Sequence, residues 1–101
     1  MHIITERELR NAATLYPKTA PSITRWIQIT RKALWKNLAE TRATFPHADA
    51  VRTDIGRTLT VFNLSDGFRL ITAIHYNRNK VYIRAVLPHA EYDRGRWKHE
   101  S

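Results

Sequence analysis

Apolar residues along the chain first recur at three- and four-residue intervals and later at every second residue, so helices are expected early and strands late. His2-Ile3-Ile4 is a short apolar start that suits a first strand. Thr5-Glu6-Arg7-Glu8 then matches a capping box, with Ile4 and Leu9 placed for a hydrophobic staple around it. Leu9, Ala12, Ala13 and Tyr16 form the apolar face of a first helix that Pro17 ends. Pro21 opens a second helix, and Ile23, Trp26, Ile27, Thr30 and Leu34 mark its buried side. The two should form a hairpin. Trp35 to Glu40 is compatible with a further short helix, and residues 46–58 read as a loop.

From Leu59 the period is two. Leu59–Leu64, Phe68–Tyr76 and Val81–Leu87 are expected as three antiparallel strands. The turns between them lie at Ser65-Asp66-Gly67 and Asn77-Arg78-Asn79. Pro88 stops the third strand, and Ala90 to Trp97 can close the chain as a short helix. Helices on one face of an antiparallel sheet give an α+β fold, a single domain over residues 1–101. Alternation assigns Leu70, Ile74, Ile83 and Ala85 to the helix-covered face and leaves Arg69, His75, Tyr82 and Arg84 on the opposite one. His89, Glu91, Tyr92 and Asp93 follow the third strand and are expected to close over that second face.

Charge turns this second face into a candidate site. The chain carries 17 Lys and Arg against 9 Asp and Glu, a net charge of +8. The excess is shared evenly, with eight basic against four acidic residues in positions 1–50 and nine against five in 51–101. The folded body is therefore cationic, and nucleic-acid phosphate is a fitting partner. Twelve of the basic residues are Arg, which favours bidentate phosphate contacts and base stacking. There is no cysteine, so thiolate metal sites, disulfides and cysteine nucleophiles are excluded. His47, His75 and His89 fit no zinc spacing, and neither a metal nor another cofactor is expected. No apolar run reaches the length of a signal peptide or a membrane span, so a cytoplasmic protein with no membrane contact is expected.

Arg, His and Tyr without a carboxylate pair suit RNA cleavage by internal transfer. There the nucleophile is the substrate's own 2′-hydroxyl. The protein supplies a base for it, an acid for the departing 5′-oxygen and cations for the phosphorane. His and Tyr can fill the first two roles, and Arg69 and Arg84 the third. Each residue also has a plainer reading. A strand arginine is more often solvated or ion-paired than catalytic, Tyr82 and Tyr92 can be packing residues, and Glu91 and Asp93 can simply pair with nearby Arg. Trp26 and Trp35 are expected in the core. Trp97, in a basic stretch with Arg94, Arg96 and Lys98, is the tryptophan best placed to stack on a base.

Several segments resemble the HigB family of toxins. They are Ala43-Thr44-Phe45-Pro46-His47-Ala48-Asp49, Val61-Phe62-Asn63-Leu64, Phe68-Arg69-Leu70-Ile71, Ile74-His75-Tyr76-Asn77, Tyr82-Ile83-Arg84 and His89-Ala90-Glu91-Tyr92-Asp93. They match in order and spacing from Phe45 to Asp93, and the helical hairpin with Trp35-Lys36-Asn37 is similar too. The resemblance implies a RelE-like fold, with a small antiparallel sheet and two amino-terminal helices on one face. It also implies an mRNA interferase that acts on the ribosome. Its partners would be a HigA-type helix-turn-helix antitoxin and, through that antitoxin, operator DNA. Phe68-Arg69-Leu70 matches the family's strand arginine, and His89, Tyr92 and Asp93 match its carboxy-terminal site residues. The two lysines that RelE carries on the strand before the hairpin are missing from Leu59-Thr60-Val61-Phe62-Asn63-Leu64, which leaves the general base open. The candidate catalytic set is Arg69, Arg84, His89, Tyr92 and Asp93. Lys36, His75, Tyr82, Arg94, Arg96 and Lys98 are candidates for RNA binding. The alternatives are a non-catalytic RNA- or DNA-binding module and an inactive relic that keeps antitoxin binding.

Overall fold

A computed structural model describes residues 1–99. Strand β1 (His2–Ile4) leads into helices α1 (Glu6–Leu15), α2 (Ala20–Lys32) and α3 (Leu38–Thr44). Strands β2 (Asp49–Arg52), β3 (Thr58–Asn63), β4 (Arg69–His75) and β5 (Lys80–Leu87) follow, then short helices α4 (His89–Arg94) and α5 (Arg96–His99). The strands form one sheet in the order β1-β5-β4-β3-β2, with β1 parallel to β5 and every other pair antiparallel. The sheet is therefore mixed and five-stranded, with the helical hairpin on one face: an α+β fold consistent with the RelE-like class. Among the described residues, no helix is long and apolar enough to cross a membrane.

Alternation along the strands gives the sheet two cores. Under the helices, Leu9, Ala12, Ile23 and Trp26 pack with Ile3, Phe62, Leu70, Val81 and Ile83. Phe62 is the centre of this layer. Its ring lies 5.4 Å from Trp26 and from Phe45, and 6.1 Å from Trp35. On the other face, Leu59, Val61, Ile71, Ala73 and Trp97 form a second buried cluster, with Tyr82, Ala85, Leu87 and Tyr92 against it. Helices α4 and α5 close that cluster because Gly95, at φ 74°, lets the chain turn sharply between them. The terminal helix expected over Ala90–Trp97 is thus two helices with a glycine corner.

Four sequence expectations are corrected by local physics. Residues 46–58 are not all loop, since Asp49–Arg52 pairs with β3 as an edge strand. Only Val51 of β2 packs against the second core, so the strand is held by backbone pairing and leaves little apolar signal. Thr5 does not cap α1 with its side chain. It adopts a left-handed conformation (φ 67°) to reverse the chain between β1 and α1, and only its carbonyl accepts, from the Glu8 amide at 3.0 Å. Reciprocal capping is found instead at α3, where Asn37 accepts from the Glu40 amide and Glu40 accepts from the Lys36 amide. Leu34 is 71% exposed because Ala33 is already extended, which ends helical spacing and passes burial to Trp35.

The fourth correction concerns the faces of β5. Ile71 pairs with Ala85 but Thr72 pairs with Ile83, so Arg84 is an extra residue in a β-bulge. Beyond the bulge the alternation is inverted. Ala85 and Leu87 join the second core, and Val86 packs towards the helices, the reverse of what strict alternation assigns.

Candidate active site

The end of β4 sets the first functional group. Arg69 shares its face with Ile71 and Ala73, away from the helical hairpin, as alternation requires. Its guanidinium donates to the carbonyls of Gly67 (3.0 Å) and Phe68 (3.3 Å) and lies 5.5 Å from the centre of the Tyr92 ring. These contacts hold the arginine head at the β3–β4 turn, whereas a solvated arginine would sample many rotamers.

Helix α4 brings the other groups to the same corner. Pro88 stops β5, and the helix starts immediately at His89. His89 and Asp93 are one helical turn apart, and their Nε2 and Oδ2 atoms lie 3.0 Å from each other. A carboxylate only accepts, so Nε2 of His89 is the donor to Asp93, and Nδ1 is the ring nitrogen left for another partner. Gly67, at φ 78°, lets the β3–β4 turn come close, since a Cβ built there would stand 3.4 Å from that of His89. Tyr92 stacks on Trp97 at 5.2 Å between ring centres with 16° between planes, and the Trp97 indole donates to the Tyr92 carbonyl at 3.0 Å. The phenol is thus set between structural contacts on its ring and solvent at its rim.

The electrostatics of Tyr92 follow from this setting. Partial burial is the largest influence and raises its pKa, the charges of Asp49 and Asp93 raise it further, and Arg69 pulls the other way. The balance is upward, so the phenol remains a proton carrier at neutral pH. The corner therefore holds a fixed cation, a protonated phenol and an imidazole tied to a carboxylate.

Four of the five residues expected to act in catalysis, Arg69, His89, Tyr92 and Asp93, meet at this corner. Arg84 does not: it is the exposed bulge residue, three positions along β5 from the partner of Arg69 and so about 10 Å away. His75 and Tyr82 do contact each other, at 4.8 Å between rings. His75 sits six residues down β4 from Arg69, about 20 Å off along the strand, and Tyr82 on β5 pairs with Ala73, about 13 Å off. The sheet thus separates groups that alternation alone had put together. Lys36 lies beside Trp35 at the start of α3, in the helical layer. Arg94 pairs with Glu91 at 3.1 Å, and Arg96 is exposed on α5. Lys98 stands 5.6 Å from the Trp97 ring centre, extending the cationic surface from the corner. Trp97 itself is only 7% exposed, so it supports Tyr92 from within the second core and is not an open stacking platform. Sequence reasoning missed Asp49, whose strand read as loop; its only signal was its place in the Ala43–Asp49 segment. Among the described residues, no group of three or more His, Cys, Asp or Glu side chains is placed to hold a metal ion.

A family model for HigB toxins, described as the RelE-like toxic component of a toxin–antitoxin system, matches residues 19–95. The chain belongs to the HigB toxin family. The match runs from the start of α2 through α4 and includes the whole Arg69–His89–Tyr92–Asp93 corner. Among curated relatives, the mRNA interferase toxin HigB of Escherichia coli (strain K12) is 30% identical over 94 residues, which is 92% of this chain and 88% of that protein. The mRNA interferases HigB of Escherichia coli O157:H7 and Shigella flexneri align with the same identity and coverage. The HigB relatives thus align over nearly the full chain, more of it than the family model matches.

Proposed function

We propose that this HigB-family chain is an endoribonuclease that cuts mRNA through attack of the substrate's own 2′-hydroxyl. The observation that carries this reading is the His89–Asp93 pair placed beside the Arg69–Tyr92 contact. In the proposed reaction, Nδ1 of His89 takes the 2′-hydroxyl proton while the 2′-oxygen bonds to phosphorus. The P–O5′ bond breaks, and Tyr92 gives its proton to the departing 5′-oxygen, an alkoxide far more basic than a phenolate. Arg69 faces the phosphorane charge. The products are a 2′,3′-cyclic phosphate and a 5′-hydroxyl. Asp93 is a positioning residue that holds the imidazole.

Ribosome association is part of the proposal. The side chains of His89 and Asp93 are 61% and 57% exposed, so the site is an open surface and excludes no water by itself. A second body must enclose the substrate to provide the dry, ordered setting that efficient chemistry needs. A cationic protein acting on mRNA finds such a body in the decoding site. A HigA-type antitoxin, bound to operator DNA through its own helix-turn-helix domain, is the proposed inhibitor, and the cytoplasm the proposed location.

The test is induced expression of the wild type and of His89→Ala, following growth and mRNA 5′ ends together. Arrest with new 5′ ends in the wild type alone is expected. Arrest without new ends would replace the reading with a binding-type inhibitor of translation.

A further inference from the structure

An open pocket of about 210 Å³ lies at the other side of the same sheet end. Trp26, Phe45 and Phe62 supply aromatic wall, Arg25 and His47 bring polar groups to it, and Asn63 borders it from β3. We infer that this pocket is a nucleobase subsite, which takes the base of a nucleotide next to the cut. The inference rests on the ribonuclease reading above and adds where the substrate strand runs.

Position is the first argument. Asn63 on the pocket is the direct register partner of Arg69 across β3 and β4. Ala48 on the pocket immediately precedes Asp49, whose charge acts on Tyr92. Pocket and catalytic corner are thus front and back of one edge. A strand with its scissile phosphate at Arg69 meets the pocket one step further on, by passing over Asn63.

Chemistry is the second. The space is smaller than the roughly 300 Å³ at which pockets for drug-sized ligands begin, and so suits one planar ring system. The floor is apolar and aromatic, which matches a base face and not a phosphate. Arg25 supplies donors and the His47 imidazole nitrogens can donate or accept, as reading a base edge requires. These groups are also uncommitted. Among the described residues, the side chains of Arg25 and His47 have no hydrogen bond or ion pair, and the buried Trp26 indole N–H has no acceptor.

The test uses the intact protein labelled with ¹⁵N, titrated with AMP, GMP, CMP and UMP, and with inorganic phosphate as a control. Mononucleotides have no bond to cut, so the readout is independent of activity. The Trp26 indole resonance is expected to shift with at least one nucleotide and not with phosphate. The double variant Arg25→Ala, His47→Ala changes two exposed, unpaired side chains and should keep the fold, which its resonance dispersion checks. Its nucleotide affinity is expected to fall about tenfold or more, the loss of one good charged contact. No Trp26 shift, an equal shift with phosphate, or undiminished binding by the double variant would each overturn the subsite. If nucleotides bind as expected but the wild type makes no new mRNA ends, the subsite stands and the ribonuclease reading falls. If both hold, mapped cut sites of the double variant should lose their base preference beside the cut.

Discussion

Replacing Tyr92 with phenylalanine isolates the proposed proton donor from its structural surroundings. The ring keeps its stack on Trp97, its face towards Arg69 and its carbonyl bond to the Trp97 indole, because none of these uses the hydroxyl. The hydroxyl has no hydrogen-bond partner among the described residues, so stability should change by no more than about 0.5 kcal/mol. Catalysis should change far more. A positioned general acid contributes about 10²- to 10⁴-fold, or about 3–5 kcal/mol of barrier. The assay is single-turnover cleavage of a defined mRNA on programmed ribosomes, with thermal unfolding of the free protein measured alongside. Cleavage within about threefold of wild type would refute the donor role, since even the low end of general-acid catalysis lies well above it. A large loss of melting temperature would instead show that the hydroxyl is structural and that the contacts of Tyr92 are misjudged.

Further expectations follow from the same geometry. The raised pKa of Tyr92 means that the folded state holds the phenolic proton more tightly than the unfolded chain. Its contribution to stability is therefore complete below about pH 10 and is lost as pH rises through the folded pKa. Unfolding by denaturant between about pH 9 and 12 should show this decline in the wild type, and a shallower one in Tyr92→Phe. Trp97→Ala empties the centre of the second core and should cost about 3–5 kcal/mol, read from the denaturation midpoint. A cost below about 1 kcal/mol would mean that α5 does not close that core.

Much of the fold was legible because its elements bury one face at a regular period. The hairpin of helices follows from Leu9, Ala12, Ile23 and Trp26, and the meander from the alternation around Leu59, Leu70 and Val81. What escaped was structure that leaves no apolar trace. Strand β2 is an edge with one half-buried valine. Strand β1 was legible from Ile3 and Ile4, but its parallel seat beside β5 rests on pairing that local sequence does not encode. The bulge at Arg84 arises from β4 and β5 pairing out of step, and it reverses three face assignments beyond it. For the candidate corner, alternation and family resemblance both pointed to Arg69, and a place just after the third strand, with the resemblance, pointed to His89, Tyr92 and Asp93. The separation of His75 and Tyr82 from that corner was not legible, because alternation gives the side of a sheet and not the distance along it. The role of Trp97 was likewise hidden. A tryptophan among Arg94, Arg96 and Lys98 reads as exposed until Gly95 turns it back onto the sheet.

If the substrate's own 2′-hydroxyl cuts mRNA at the Arg69–His89–Tyr92 corner, the cut ends carry its chemical signature. The most direct measurement is the chemistry of the cut ends produced by the purified protein on programmed ribosomes, with an otherwise identical message carrying a single 2′-deoxy nucleotide at the cleavage position. A 2′,3′-cyclic phosphate and a 5′-hydroxyl are expected from the all-ribose message, and no cut in the 2′-deoxy one. Cleavage of the 2′-deoxy message, or a 5′-phosphate on the downstream fragment, would contradict that chemistry.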